Sequence, residues 1–148
     1  MSKAAVLEGD LKLLMRKSGY RATPARLRLA ALLSREAKPM SIQGIERAFG
    51  GKKADVVTLY RTLFAFEKAG FVRQVDLRHG HAHYEWAHER THHHHLVCTR
   101  CGVTEEYDGC EFAAFSKKAL KKSKQFARIE DHASELFGIC TRCDVSTS

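Results

Sequence analysis

The residues with the most chemistry in this chain run without a break from Thr91 to Gly102: Thr91-His92-His93-His94-His95-Leu96-Val97-Cys98-Thr99-Arg100-Cys101-Gly102. Four imidazoles lead through two apolar residues into a Cys-x-x-Cys pair. A second pair, Cys140-Thr141-Arg142-Cys143, stands near the C-terminus. Imidazole and thiolate are the side chains that zinc prefers. The Cys-x-x-Cys spacing can put two sulfurs on one metal, and each pair sits beside a turn glycine, Gly102 or Gly138. Two pairs complete a tetrahedral four-cysteine zinc site in Cys98, Cys101, Cys140 and Cys143. With all four positions filled by protein, such a site is structural. The fifth cysteine, Cys110, has no partner by spacing and is expected to be a small, partly buried residue.

The histidine run is internal and continuous with the first cysteine pair, which argues against an expression tag. If it is a strand, its side chains alternate faces. His92 and His94 then point one way, and His93 and His95 the other. One strand can therefore serve two metal sites, each completed by ligands from elsewhere.

The elements that must position these residues follow from composition and pattern. The chain has 148 residues, 44% hydrophobic and 28% charged, which suits a folded soluble protein. No apolar run approaches the ~20 residues of a membrane-spanning helix, and the N-terminus lacks the apolar core of a signal peptide. A cytoplasmic location with no membrane partner is expected. In that compartment paired cysteines hold metal rather than disulfides. The net charge of +8 sits entirely in residues 1–78; residues 79–148 hold one more acid than base, and all nine histidines. A basic half suits a polyanion. Two domains are expected, 1–86 and 87–148.

In the basic half, apolar residues from Val6 to Met15 mark a helix ended by Ser18-Gly19. Thr23-Pro24 reads as an N-cap with proline in the first turn, opening a helix to about Arg35. Lys38-Pro39 breaks the chain, Ser41 caps a short helix, and Gly50 to Lys53 is a turn. Asp55 opens a helix with Val56, Leu59, Leu63, Phe66 and Ala69 on its apolar face, ended by Gly70. Phe71–Asp76 and Ala82–Trp86 read as two strands. Short helices followed by a hairpin make a winged helix-turn-helix, with the helix after Asp55 as the recognition helix. Thr58, Tyr60 and Arg61 on its early exposed side, with Arg21 and Arg26 upstream, are the candidate contacts to double-stranded DNA.

The second half reads as α/β after a polar linker, 87–90. Strands are expected at 93–97 and 103–107, a helix at 112–122, and mostly strand from Phe126 to Phe137. The tail after Cys143 is expected to be disordered. The fold class is α+β: an N-terminal winged helix-turn-helix domain and a C-terminal α/β domain carrying the four-cysteine zinc site.

Three stretches together resemble the ferric uptake regulator family of metal-dependent bacterial repressors: Thr58-Leu59-Tyr60-Arg61-Thr62-Leu63, the His92–Gly102 block, and His132 with Phe137-Gly138-Ile139-Cys140-Thr141-Arg142-Cys143. The resemblance covers nearly the whole chain. It implies a homodimer whose C-terminal domain is the dimerisation domain, binding a palindromic operator. It also implies repression of metal-uptake genes when metal is plentiful, and no enzyme activity. By position it implies structural zinc on the four cysteines. It implies a regulatory Zn2+ or Fe2+ on Glu85, His93, His95 and Glu106, and an additional site on His92, His94 and His132. Tyr60 and Arg61 match DNA-contacting residues. Two departures stand out. A histidine common in the turn before the third helix is absent from Lys38-Pro39-Met40-Ser41, so the regulatory site does without it or borrows Asp76, His81, His83 or His88. A glutamate usual in the helix after the second dimerisation strand falls near Ala113, and Glu111 is its nearest substitute. The missing histidine and the surplus of imidazole favour zinc over iron, although imidazole binds several divalent metals. A peroxide sensor of the same fold is the alternative. A zinc deaminase is remote: His83-Tyr84-Glu85 with Cys98-x-x-Cys101 echoes its pattern, but Val97 replaces the required proline and a second pair would close the site.

Overall fold

A computed structural model describes residues 8–50, 55–88, 92–133 and 135–145. The chain divides into two compact units, Met1–Arg90 and Thr91–Ser148. Among the described residues, no helix is long and apolar enough to cross a membrane. Sequence expectations for residues 6–7, 51–53 and 89–90 lie outside the described residues.

The first unit runs α1 (Glu8–Lys17), α2 (Pro24–Arg35), β1 (Met40–Ser41), α3 (Ile42–Ala48), α4 (Val56–Lys68), β2 (Val72–Val75) and β3 (His83–Trp86). Its helix starts are chemically fixed. The Thr23 hydroxyl accepts from the Arg26 N–H at 3.4 Å, Ser41 from Gly44 at 3.1 Å, and Asp55 from Val57 at 3.2 Å. Each cap satisfies one of the donors a helix N-terminus leaves open. Gly70, at φ 74, closes α4 in a left-handed conformation that other residues rarely adopt. Leu11 and Met15 of α1, Leu29 and Leu33 of α2, Ile45 of α3, and Leu63 and Phe66 of α4 are almost completely buried in one core with Phe71 and Trp86.

Two details depart from expectation. The wing sheet has three strands, in the order β1-β3-β2, with Met40 paired to Tyr84 and Ser41 to His83. A two-residue strand offers no alternation to read. Val56 is not part of the apolar face. Leu59 is the first-turn residue of α4 that enters the core, while Val56, Val57 and Tyr60 are exposed by 38%, 52% and 50%.

The second unit runs β4 (His94–Cys98), β5 (Thr104–Tyr107), α5 (Phe112–Lys122), β6 (Leu136–Gly138) and α6 (Thr141–Val145). The sheet order is β5-β4-β6; β4 is antiparallel to β5 and parallel to β6. The expected long strand from Phe126 is only Leu136–Gly138, because that is as far as the stretch pairs with β4; Phe126 itself is 70% exposed. The expected disordered tail begins instead as helix, and its last residues, 146–148, lie outside the described residues. The Cys140 carbonyl accepts from the Cys143 and Asp144 N–H groups at 2.9 and 3.0 Å, and α6 continues to Val145.

The two units differ in what holds them. The whole apolar core cluster belongs to the first. Among the described residues of the second, only Val97 and Cys98 are buried apolar side chains, and α5 buries none. A unit this small with so little apolar burial needs another source of stability, such as metal or a partner subunit.

Candidate metal centres and nucleic-acid interface

The Sγ atoms of Cys98, Cys101, Cys140 and Cys143 lie within 4.8 Å of one another. The pairing of β4 with β6 ends at Cys98 opposite Gly138, which delivers the second cysteine pair to the first. Cys101 Sγ and Cys140 Sγ are 3.7 Å apart. A zinc–sulfur bond of ~2.3 Å gives a tetrahedron edge of ~3.8 Å, so the donor set fits Zn2+. Backbone dipoles already favour thiolate here. N–H groups of Cys101 and then Cys140 point at Cys98 and hold its thiol down at about 6. Cys143 is pushed up to about 12 by its contacts with the sulfurs of Cys140 and Cys101. Four thiols cannot all ionise side by side unless a cation joins them. The Arg142 guanidinium donates to Cys101 Sγ at 3.6 Å and offsets the negative charge of the group.

The histidines of the run separate into two groups. His93 and His95 lie together, with ring centroids 5.2 Å apart. Their neighbour is Glu106, which stands opposite His95 on β5 and has an oxygen 3.9 Å from His93 Nε2. His93 and His95 are buried, at 4% and 0% exposure. Sequence reasoning missed Glu135. One oxygen of its carboxylate accepts both the His95 N–H, at 2.7 Å, and a hydrogen bond from His95 Nδ1, at 3.1 Å. With the proton held on Nδ1, Nε2 carries the lone pair. This is the carboxylate–histidine arrangement that orients metal-ligating imidazoles. Glu135→Gln is therefore expected to weaken metal binding at this group by ~10–100-fold without unfolding the protein. A competition titration against a chromophoric chelator measures it; unchanged affinity would show that Glu135 does not orient His95.

Glu85 belongs to the first unit. It sits on β3, is 3% exposed, and forms an ion pair with Arg73 on β2. The residues considered as replacements for the absent turn histidine are elsewhere occupied. Asp76 accepts from the Arg78 N–H at 2.8 Å. His81 and His83 form an imidazole cluster with His79, their centroids 4.7 to 6.2 Å apart. Burial first, then His81 and His79, lowers the His83 pKa. His88 packs edge-on to Phe71. None of the four joins a metal-competent group among the described residues.

The other face of the run gathers His92, His94 and His132. Their Nε2 atoms are 3.2 Å (92–94), 3.1 Å (92–132) and 3.2 Å (94–132) apart. Zinc–nitrogen bonds of ~2.0–2.1 Å give tetrahedron edges of ~3.3–3.4 Å, so this set also fits. Glu111 is not brought into the group. It is exposed and serves as the N-cap residue of α5. The residue before it takes that place: Cys110 Sγ lies 3.1 Å from His132 Nε2 and completes the cluster.

In the first unit, Arg21, Arg26, Thr58 and Arg61 line one surface hollow where the starts of α2 and α4 meet. Arg26 donates to the Arg21 carbonyl at 3.1 Å, and the Thr58 hydroxyl to Asp55 at 2.9 Å. Tyr60 stands exposed on α4 outside the hollow. A capped helix with Val56, Val57, Thr58 and Tyr60 exposed near its start, and with Arg61, Arg21 and Arg26 around it, can enter a groove with its N-terminal residues at base edges and cations at phosphates.

Comparison with known proteins gives a consistent result. A model of the family described as "Ferric uptake regulator family" matches residues 17–137. The ferric uptake regulation protein of Neisseria gonorrhoeae is 32% identical over 132 residues, covering 87% of this chain and 90% of that protein. The solved structure of the Helicobacter pylori ferric uptake regulator superposes with a TM-score of 0.75 at 23% identity, covering 96% of this chain and 97% of the other. A zinc-bound manganese uptake regulator superposes with a TM-score of 0.61 at 30% identity, covering 88% and 98%.

Proposed function

The chain belongs to the ferric uptake regulator family of metal-responsive regulators, and on that premise we propose that it is a homodimeric repressor. In this reading it binds palindromic operators of metal-uptake genes when a regulatory divalent metal is bound. The observation that carries the proposal is the convergence of His93, His95 and Glu106, with His95 held in one tautomer by Glu135. Glu85, matched by position in the resemblance, is the ligand contributed by the winged-helix unit. The donor set is imidazole and carboxylate, suited to zinc or iron. The absence of a turn histidine in Lys38–Ser41 favours zinc. The metal supplies a positive charge that gathers these ligands. His93, His95 and Glu106 belong to one unit and Glu85 to the other, so full ligation selects one relative arrangement of the two.

His92, His94 and His132 form the additional site of the resemblance. The cysteine group is the structural zinc site. The thin core of the second unit, with Phe115 exposed by 70% on α5 and Tyr107 by 43% on β5, supplies apolar surface for a second copy. Arg21, Arg26, Thr58, Tyr60 and Arg61 are the proposed DNA contacts.

Selection from a random duplex library at fixed salt tests the reading, with Zn2+, Fe2+ or Mn2+ added, or with chelator. Salt must be held constant because phosphate contacts make affinity steeply salt-dependent. A two-fold symmetric site should be enriched with metal and not with chelator. Equal enrichment in all arms, or none in any, would overturn the proposal.

A further inference from the structure

The additional site of the preceding reading has a fourth ligand that neither spacing nor the resemblance supplied. We infer that Cys110 is that ligand. Its thiolate closes a tetrahedral centre of three imidazoles and one sulfur with His92, His94 and His132, built for zinc rather than for manganese or iron. The inference rests on the additional site being real, and it replaces an expected carboxylate with a sulfur.

Four observations carry it. Cys110 Sγ is 3.1 Å from His132 Nε2 and joins the three imidazoles in one group whose ligand atoms lie within 4.8 Å of each other. The three Nε2 atoms lie 3.1 to 3.2 Å from one another. Three mutually touching nitrogens cannot each donate to the other two, whereas one cation takes all three lone pairs. The His132 ring is held in place. It stacks on Phe112 with centroids 4.1 Å apart and planes 7° from parallel, and Phe112 is two residues from Cys110. Finally, Glu111 is exposed and outside the group, so the nearest carboxylate in sequence does not compete for the position.

The sulfur changes the metal class. Carboxylate and water oxygens suit manganese and other hard ions in open, higher-coordinate sites. Thiolate with three imidazoles is softer and fills a four-coordinate shell, the geometry zinc takes without penalty. Binding requires the Cys110 thiol to lose its proton to solvent, so one proton is released as the metal enters. His94 is buried, Cys110 and His132 are half-buried and His92 is exposed, so the centre opens at the surface and exchanges metal with solution.

Cobalt(II) is the probe. The starting protein carries zinc in its four-cysteine group, verified by metal analysis, and alanine at both 93 and 95 so that the other histidine group takes no metal. One equivalent of Co2+ should bind and produce sulfur-to-cobalt charge-transfer absorption in the near ultraviolet. Adding Cys110→Ser should remove that band and weaken zinc binding by more than the ~10–100-fold that loss of an outer-shell partner costs. Cys110→Glu should bind cobalt without the band and lose preference for zinc over manganese. Cobalt uptake without a sulfur band in the starting protein, or a band that survives Cys110→Ser, would overturn the role of Cys110 alone. No cobalt uptake at all, with the fold intact by circular dichroism, would overturn the additional site and the inference with it.

Discussion

Replacing His93 and His95 together by alanine is expected to abolish the metal dependence of DNA binding while leaving a folded protein. The loss should be large because, in the proposed function, the metal acts through a population. Moving two arrangements of the units from 1:99 to 99:1 requires ~5.5 kcal/mol of differential metal binding and raises apparent DNA affinity about a hundredfold. Without two buried imidazoles, only carboxylates are left in the proposed site, and carboxylates alone hold a borderline-soft ion poorly. The fold should survive because the apolar core cluster lies in the first unit and the cysteine group is untouched. Removing both rings costs Glu135 its bond to the His95 ring, while the backbone N–H of residue 95 still donates to it, so the second unit is expected to lose some rigidity but not its sheet. Fluorescence anisotropy on a selected operator, with metal and with chelator, measures the effect. A double variant that keeps a hundredfold metal response would move the regulatory site elsewhere.

Cys98→Ser should have the larger structural effect. A structural zinc in a small domain contributes an apparent ~10–16 kcal/mol in zinc-finger peptides, comparable to the whole stability of an ordinary domain at ~5–15 kcal/mol. Here the second unit has little else, since Val97 and Cys98 are its only buried apolar side chains among the described residues. Cys98 is also the sulfur most prepared for metal, with backbone N–H groups of Cys101 and Cys140 lowering its pKa to about 6. A serine hydroxyl in its place stays protonated and is not a zinc ligand near neutral pH. The variant should lose zinc, lose dimer and melt its second unit, while α1–α4 and the wing stay folded on their own core. Metal analysis with hydrogen exchange resolved along the chain tests this. Full zinc content with unchanged protection of β4 and β6 would count against the four-cysteine assignment.

Much of this architecture is local, and local structure is legible. Thr23-Pro24, Ser41 and Asp55 mark three helix starts because an N-cap acts on donors two or three residues away. The two Cys-x-x-Cys pairs declare a metal because their reach is set by covalent geometry. The alternation of His92 to His95 is what the pleat of a strand predicts; β4 begins only at His94, and the structure still groups 92 with 94 and 93 with 95.

What stayed hidden is long-range. Glu135 reaches His95 across 40 residues of chain, through the parallel pairing of β6 beside β4. Nothing in Glu135's neighbourhood in sequence marks it. Cys110 looked solitary because its partners are neither at metal-ligand spacing nor on its own element. The stacking of His132 on Phe112 brings them together. Residues 126–135 failed as a strand for a related reason: apolar residues make a strand only where an edge is free to pair, and β4 offers one for three residues. The sequence alone therefore determined the caps, the two cysteine pairs and the alternation of the histidine run, all set by bond geometry over a few residues. Tertiary packing alone decided which distant carboxylate orients His95 and which sulfur stands beside His132, because those contacts exist only once the sheet and α5 have formed.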